Sequence, residues 1–293
     1  MTDSLIPTCV VNLRSLCGEG PMWDARTNSL CWVDITNGIA HQRDHASGSI
    51  QTAEIAPLAS SVLIPTKPGH LYASHLGLIY REGSEQRLLT NPEPNLPTNR
   101  LNDCKVGPGG VLWAGTMNIG RKGPTGALYR YGPDGVSQVL SGMTTTNGLD
   151  WSPDGTTFYL IDTFPRLLYA FDHDPETGAL SNRRVLRDFS KQEGVPDGMC
   201  TDADGNLWIA FWGGWRVACY APDGTLVTQI NMPVAQPTSC CFGGENLDQL
   251  FITSAAIGID EEGFEQAPLS GGVFTVTPGV RGLPTRTALY PEI

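Results

Sequence analysis

Positive charge is scarce in this chain: 19 Lys and Arg stand against 30 Asp and Glu, a formal net charge of −11. The basic residues are scattered, so a phosphate backbone finds no basic face and nucleic acid is excluded as a partner. Long apolar runs are missing too. No stretch approaches the roughly 20 residues that span a bilayer. The start, Met1-Thr2-Asp3-Ser4-Leu5-Ile6-Pro7, has neither the basic opening nor the apolar core of a secretory signal. The eight cysteines include no Cys-x-x-Cys pair and the five histidines no paired metal spacing, which argues against zinc chelation. A Gly-x-Ser-x-Gly elbow and a Gly-x-x-x-x-Gly-Lys loop are also absent, which removes support for a serine nucleophile and for nucleotide hydrolysis. Together these absences predict a soluble, cytoplasmic protein with no membrane partner, its thiols free and packed as small apolar groups in a reducing compartment.

Helical periodicity is scarce. Most segments alternate, or run apolar for about four to six residues between turn signals, as strands do. Within this pattern one phrase recurs six times at intervals of about 40 to 50 residues, its first polar positions being Glu19, Ser61, Asn102, Asn147, Asp197 and Ser239. Each is followed by a Gly- or Asp-rich turn, such as Ser152-Pro153-Asp154-Gly155 or Asp202-Ala203-Asp204-Gly205. A strand with a bulky residue comes next, such as Leu112-Trp113-Ala114-Gly115 or Leu207-Trp208-Ile209-Ala210. A strand-and-turn repeat of this length is the signature of a propeller. Six copies predict an all-β, six-bladed β-propeller with a central metal site. It is expected to be one domain over residues 1–293, because each blade buries its faces only against its neighbours. The segment Leu269–Val276 is expected to complete the first or last blade and to close the ring with both chain ends. A closed ring leaves no edge to cover, so a monomer is expected.

In such a ring the innermost strands line a channel, and side chains at one end of them converge. Glu19, Asn147 and Asp197 then offer two carboxylates and an amide oxygen, a set suited to a hard divalent cation. Taken singly, Asn147-Gly148 and Asp197-Gly198 are also turn dipeptides; their equal phase in separate repeats favours the site. In Arg100-Leu101-Asn102-Asp103, alternation sends Arg100 and Asn102 to one side, as donors to a polar ligand, and Asp103 to the other. The stretches Asn91–Thr98 and Asn118–Gly126 are expected as mouth loops, and Ile257–Ser270 as a solvated loop. Tyr131–Gly135 and Ala221–Gly224 read as plain Pro-Asp-Gly turns rather than calcium loops. Trp32, Trp113 and Trp208 share one phase, which points to blade packing.

Several of these pieces occur together and in order in one known family. Gly18-Glu19-Gly20-Pro21-Met22-Trp23, Arg100-Leu101-Asn102-Asp103 with Ala114-Gly115-Thr116-Met117, Thr146-Asn147-Gly148-Leu149-Asp150-Trp151, Pro196-Asp197-Gly198 and Gly271-Gly272-Val273-Phe274 resemble the gluconolactonase/regucalcin (senescence-marker-protein) family over nearly the whole chain. The resemblance implies a six-bladed propeller holding one divalent metal in its channel, and hydrolysis of sugar lactones. It places the metal ligands at Glu19, Asn147 and Asp197, the candidate base at Asp197, and substrate contacts at Arg100 and Asn102. One loop departs: after Gly-Thr-Met, animal members carry acidic residues, whereas here Arg121 and Lys122 stand, with no acid before Asp134. Asn118 is the expected substitute contact.

The expected function is metal-dependent hydrolysis of an aldonolactone to its aldonic acid. Calcium, zinc, manganese, magnesium or ferrous iron would polarise the lactone carbonyl. Either Asp197 or a cation-activated water would serve as base. Two other readings stay open: a calcium-binding regulatory propeller without catalysis, and a promiscuous esterase or organophosphate hydrolase, which a broad apolar pocket would favour.

Overall fold

In the computed structural model, which describes residues 5–132 and 135–289, the chain forms six four-stranded antiparallel sheets. Strand β1 (Thr8–Val11) precedes the first blade, which comprises β2 (Gly18–Asp24), β3 (Ser29–Asp34), β4 (Ile39–Asp44) and β5 (Ile50–Glu54). The second holds β6 (Ser61–Leu63), β7 (His70–Ser74), β8 (Gly77–Glu82) and β9 (Glu85–Thr90). The third holds β10 (Asn99–Val106), β11 (Leu112–Asn118), β12 (Gly126–Gly132) and β13 (Gly135–Met143). The fourth holds β14 (Thr146–Trp151), β15 (Thr157–Asp162), β16 (Leu167–His173) and β17 (Leu180–Asp188). The fifth holds β18 (Val195–Thr201), β19 (Leu207–Trp212), β20 (Arg216–Tyr220) and β21 (Leu226–Asn231). The sixth holds β22 (Pro237–Gly243), β23 (Gln249–Ser254) and β24 (Val273–Val276), and takes β1 as its outer strand.

The inner strands β2, β6, β10, β14, β18 and β22 pack in a closed circuit. Near their starts they carry the six phased positions foreseen from the repeat, and Glu19, Ser61, Asn102, Asn147, Asp197 and Ser239 are all buried there. Closure is made by both chain ends: Thr8 pairs with Thr275 and Cys9 with Phe274. The closing strand starts at Val273 rather than Leu269. Residues 267–272 form a turn, with Ser270 N–H donating to the Ala267 carbonyl, Gly272 N–H to the Leu269 carbonyl and Gly271 at φ +78°. Nor is the stretch from 257 to 270 all loop. It holds one short helix, α1 (Glu261–Gln266), whose first turn is capped by Asp260 accepting from the Gly263 N–H.

Blade-to-blade packing follows the shared aromatic phase. Trp32, Trp113 and Trp208 sit on the second strands and are essentially inaccessible. Trp113 meets Trp151 of the next blade edge-on at 5.7 Å, and truncating such a ring costs on the order of 3–5 kcal/mol. At Ala221–Gly224 a plain turn forms, Gly224 donating to the Ala221 carbonyl; of the matching turn at Tyr131–Gly135, residues 133–134 lie outside the described residues. All eight cysteines are free. Among the described residues no helix is long and apolar enough to cross a membrane.

Candidate functional site at the channel mouth

Five of the six inner strands carry a bulge at the same level. The register shifts between Glu19 and Met22, Leu101 and Cys104, Thr146 and Leu149, Pro196 and Met199, and Pro237 and Ser239. A bulge adds one residue and re-aims the side chains around it. Here it turns the phased polar residue toward the axis near the start of each inner strand. The glycine that follows has a separate reason to be there. A Cβ at Gly20, where φ is +53°, would lie 2.7 Å from the Ser61 Cα of the next inner strand, and one at Gly198 would collide with Ser239. The X-Gly pairs are therefore bulges in close-packed strands, not hairpin turns.

The carboxyl groups of Glu19 and Asp197 are both buried. Burial pushes each well above the usual carboxylate range; the charge of Asp103 adds to both, and that of Asp197 adds further to Glu19. Opposing this, Gly20 N–H donates to Glu19 Oε2 at 2.6 Å, and Arg100 lends positive charge. Asp103 does not sit on the far side of its strand. The bulge at Asn102-Asp103 breaks the alternation, and Asp103 lines the channel, its carboxyl raised to about 6 by burial.

Asn147 is held from both sides. Its Oδ1 accepts from Asn102 Nδ2 at 2.9 Å, and its Nδ2 donates to Thr163 Oγ1 at 2.7 Å, which in turn donates to the Pro196 carbonyl. The other bond from Asn102 Nδ2 goes to the Thr146 carbonyl at 2.8 Å. Asn102 thus has its amide donors engaged and keeps only Oδ1 to accept from a ligand. Arg100 gives one N–H to the Leu101 carbonyl and retains the rest. Asn118 is committed to the mouth loops: it donates to Thr98 Oγ1 at 3.2 Å and accepts from the Lys122 N–H at 3.3 Å. Thr163 carried no motif that would have marked it. Glu93, equally silent in sequence, accepts from Asn99, Thr116 and Tyr129 and anchors the loop before Arg100.

Among the described residues no three His, Cys, Asp or Glu side chains form a metal-holding group. The set Glu19, Asn147 and Asp197 has two carboxylates and completes itself with an amide oxygen, which suits a hard cation with water filling the remaining positions. The donor chemistry fits: two buried like charges gain from a cation between them, and Asn147 Oδ1 keeps a lone pair beyond the one Asn102 uses. The deeper half of the channel is different. A cavity of about 120 Å³ there is lined by Lys105, Asp150, Cys200 and Cys240 and bordered by Leu283–Arg286. Lys105 Nζ there lies 2.6 Å from Asp150 Oδ2, while Asp103, which also lines this cavity, forms no ion pair among the described residues. No histidine belongs to that set; His70 pairs with Asp24 and His41 stacks on Trp32.

The sequence and the fold are similar to those of known proteins. Residues 17–256 match the SMP-30/gluconolactonase/LRE-like region. The chain is 37% identical over 288 residues to regucalcin of Gallus gallus, covering 94% of this chain and 96% of that one. It is likewise 37% identical over 286 residues to regucalcin of Homo sapiens, covering 94% and 95%. Among solved structures, a calcium-binding protein, regucalcin, from Agrobacterium tumefaciens superposes with TM-score 0.93 at 28% identity over 97% of both chains. A gluconolactonase from Xanthomonas campestris shares the fold, with TM-score 0.75 at 22% identity over 92% of this chain and 89% of that one. The chain belongs to the SMP-30/gluconolactonase/LRE-like family.

Proposed function

We propose that the protein hydrolyses a sugar lactone to the open-chain aldonic acid, using one divalent cation held by Glu19, Asn147 and Asp197. The observation that carries this reading is the convergence of buried Glu19 and Asp197, with Asn147 fixed by Asn102, where the bulged inner strands turn toward the axis. The family match supports a lactonase, and the calcium-binding relative supports a cation of calcium type. When bound, the cation supplies positive charge for the lactone carbonyl oxygen and for the oxyanion that forms from it.

The chain's own groups do the rest. Asp197 accepts a proton from the attacking water as its oxygen adds to the carbonyl carbon. The same proton then passes to the ring oxygen as the carbon–oxygen ester bond breaks. Burial raises this carboxyl, whereas the cation it would hold lowers it, so a water activated by the cation is the alternative base. Arg100 donates to the substrate's oxygens, and Asn102 Oδ1 accepts from a sugar hydroxyl. Asn118 acts at one remove, by holding the loop. The closed ring acts as a monomer, and its eight free thiols suit a cytoplasmic setting.

A second reading draws on the rim. Leu76, Leu96, Phe164, Trp215 and Ile257 are exposed on loops at the mouth end, a lining that suits an ester with an aryl or alkyl group. One experiment separates the readings. Chelator-stripped protein is given single divalent metals, and acid release is followed from aldonolactones and from aryl esters, with spontaneous hydrolysis subtracted. Metal-restored turnover of a sugar lactone above that of any aryl ester supports the lactonase. The reverse ranking supports the esterase, and bound cation with no turnover leaves a calcium-binding regulator.

A further inference from the structure

The loop between β11 and β12 carries two adjacent basic residues, Arg121 and Lys122, at the mouth of an acidic protein, and it is built rather than slack. Asn99 pairs with Asn118, so the loop opens at the same end as the site. Ile119 N–H donates to the Thr98 carbonyl at 2.8 Å, Arg121 N–H to the Asn118 carbonyl at 3.0 Å, and Lys122 N–H to Asn118 Oδ1. Arg121 takes φ +55°, a left-handed conformation that L side chains adopt at a cost on the order of 1 kcal/mol.

The guanidinium is positioned but not neutralised. Its carbon lies 5.6 Å from the centre of the Phe164 ring, which the fourth blade presents on the turn between β15 and β16. A guanidinium over a ring keeps its N–H edges free for two-point binding of a carboxylate or phosphate. Among the described residues no carboxylate lies within ion-pair distance of Arg121 or of Lys122; the pairs formed involve Arg26, His70, Lys105, Arg184 and Arg286. The acidic run Asp260–Glu265 belongs to the sixth blade, across the ring from the third. A protein of net charge −11 repels anions in general, so an unpaired arginine at the mouth is a local exception.

We propose that Arg121, backed by Lys122 and seated on Phe164, binds an anionic substituent of the substrate, so that the preferred lactone carries a carboxylate or a phosphate away from its ring ester. This rests on the lactonase reading above and narrows its substrate class.

The test compares kcat/KM for three substrates: a neutral aldonolactone, an aldaric acid monolactone with a free carboxylate, and an aldonolactone phosphorylated at its terminal hydroxyl. Wild type, Arg121→Ala, Arg121→Lys and Arg121→Glu are measured with the metal that restores activity. Wild type is expected to favour one anionic lactone over the neutral one by about tenfold or more, and the favoured arm identifies carboxylate or phosphate. Arg121→Ala should lose roughly that factor, mainly through KM, on the anionic substrate alone. Arg121→Lys should recover part of it, and Arg121→Glu should reverse the preference. Arg121 is exposed, so unchanged urea midpoints are expected. Neutral lactone turned over as well as either anionic one, with Arg121→Ala altering all three alike or none, overturns the inference and leaves the lactonase standing. Failure to turn over any lactone sinks the lactonase reading and this inference with it.

Discussion

Asn102 Nδ2 donates to Asn147 Oδ1 at 2.9 Å, tying the third blade to the fourth at the level of the site. The bond sets which way the Asn147 carboxamide faces, since its nitrogen is drawn to Thr163 on the other side. Under the proposed function, Asn102 would therefore act on the cation through Asn147 as well as on the substrate directly.

Replacing Asn102 by Ala frees the Asn147 carboxamide to rotate. Cation affinity should fall about 10- to 100-fold, as when other outer partners of metal ligands are lost. Calorimetric titration of the stripped protein measures this. A raised KM with unchanged cation affinity would show that Asn102 serves the substrate alone.

Glu19 and Asp197 place two negative groups in one buried volume, with Asp103 adding a third. Chelation should accordingly lower the melting temperature, and saturating cation should restore it; at 100 times Kd the gain is about 2.7 kcal/mol. Glu19→Gln should melt a few degrees higher than wild type under chelator, because repulsion is relieved, yet gain almost nothing from added cation. Scanning calorimetry of both proteins with and without metal decides. A cation response surviving in Glu19→Gln would remove Glu19 from the ligand set.

The sequence was most legible where a physical requirement repeats. Six phased polar positions, six turns and the shared Trp phase all correspond to ring geometry, and each of the six phased residues lies within the first four residues of an inner strand and is buried. It was least legible where one residue breaks a period. Alternation placed Asp103 away from Asn102, but a bulge adds a residue to one strand without any fixed composition, so Asp103 faces the channel. Thr163 and Glu93 were invisible for another reason. Their partners lie 16 or more residues away for Thr163, and 6, 23 and 36 away for Glu93. A hydroxyl or carboxylate in a loop announces nothing until the chain folds around it.

Glu93 shows what such a buried acid does. Asn99, Thr116 and Tyr129 all donate to it, and the Tyr129 hydroxyl is in turn held above its ordinary pKa, chiefly by burial and then by the Glu93 charge. Glu93→Ala strands three donors in the blade and should cost on the order of 3 kcal/mol. Because Asn99 precedes Arg100, KM for the substrate should rise with it. Urea unfolding and steady-state kinetics on Glu93→Ala and Glu93→Gln test both parts, the glutamine keeping an acceptor and so losing less. An alanine variant with wild-type stability would show the loop is held elsewhere.

Asp24 gives the acid limb of stability a named residue. Its fully buried carboxylate accepts from Arg26 Nη2 at 2.8 Å and lies 3.0 Å from His70 Nε2. Burial alone would raise its pKa, but the hydrogen bonds from His70 and Arg26 outweigh it and hold the group well below the usual range. A depressed acid pKa means the unfolded chain binds the proton first. The contribution is therefore complete above the unfolded value near 3.9 and is lost as pH falls from there through the lower folded value. Asp24→Asn should destabilise the protein at pH 7 by on the order of 2–3 kcal/mol, and the gap to wild type should narrow progressively below about pH 4. Urea midpoints for the two proteins between pH 7 and pH 3 read this directly. A gap that stayed constant across that range would mean the Asp24 carboxyl binds its proton as readily in the folded as in the unfolded chain, and that Arg26 and His70 owe their placement to other contacts.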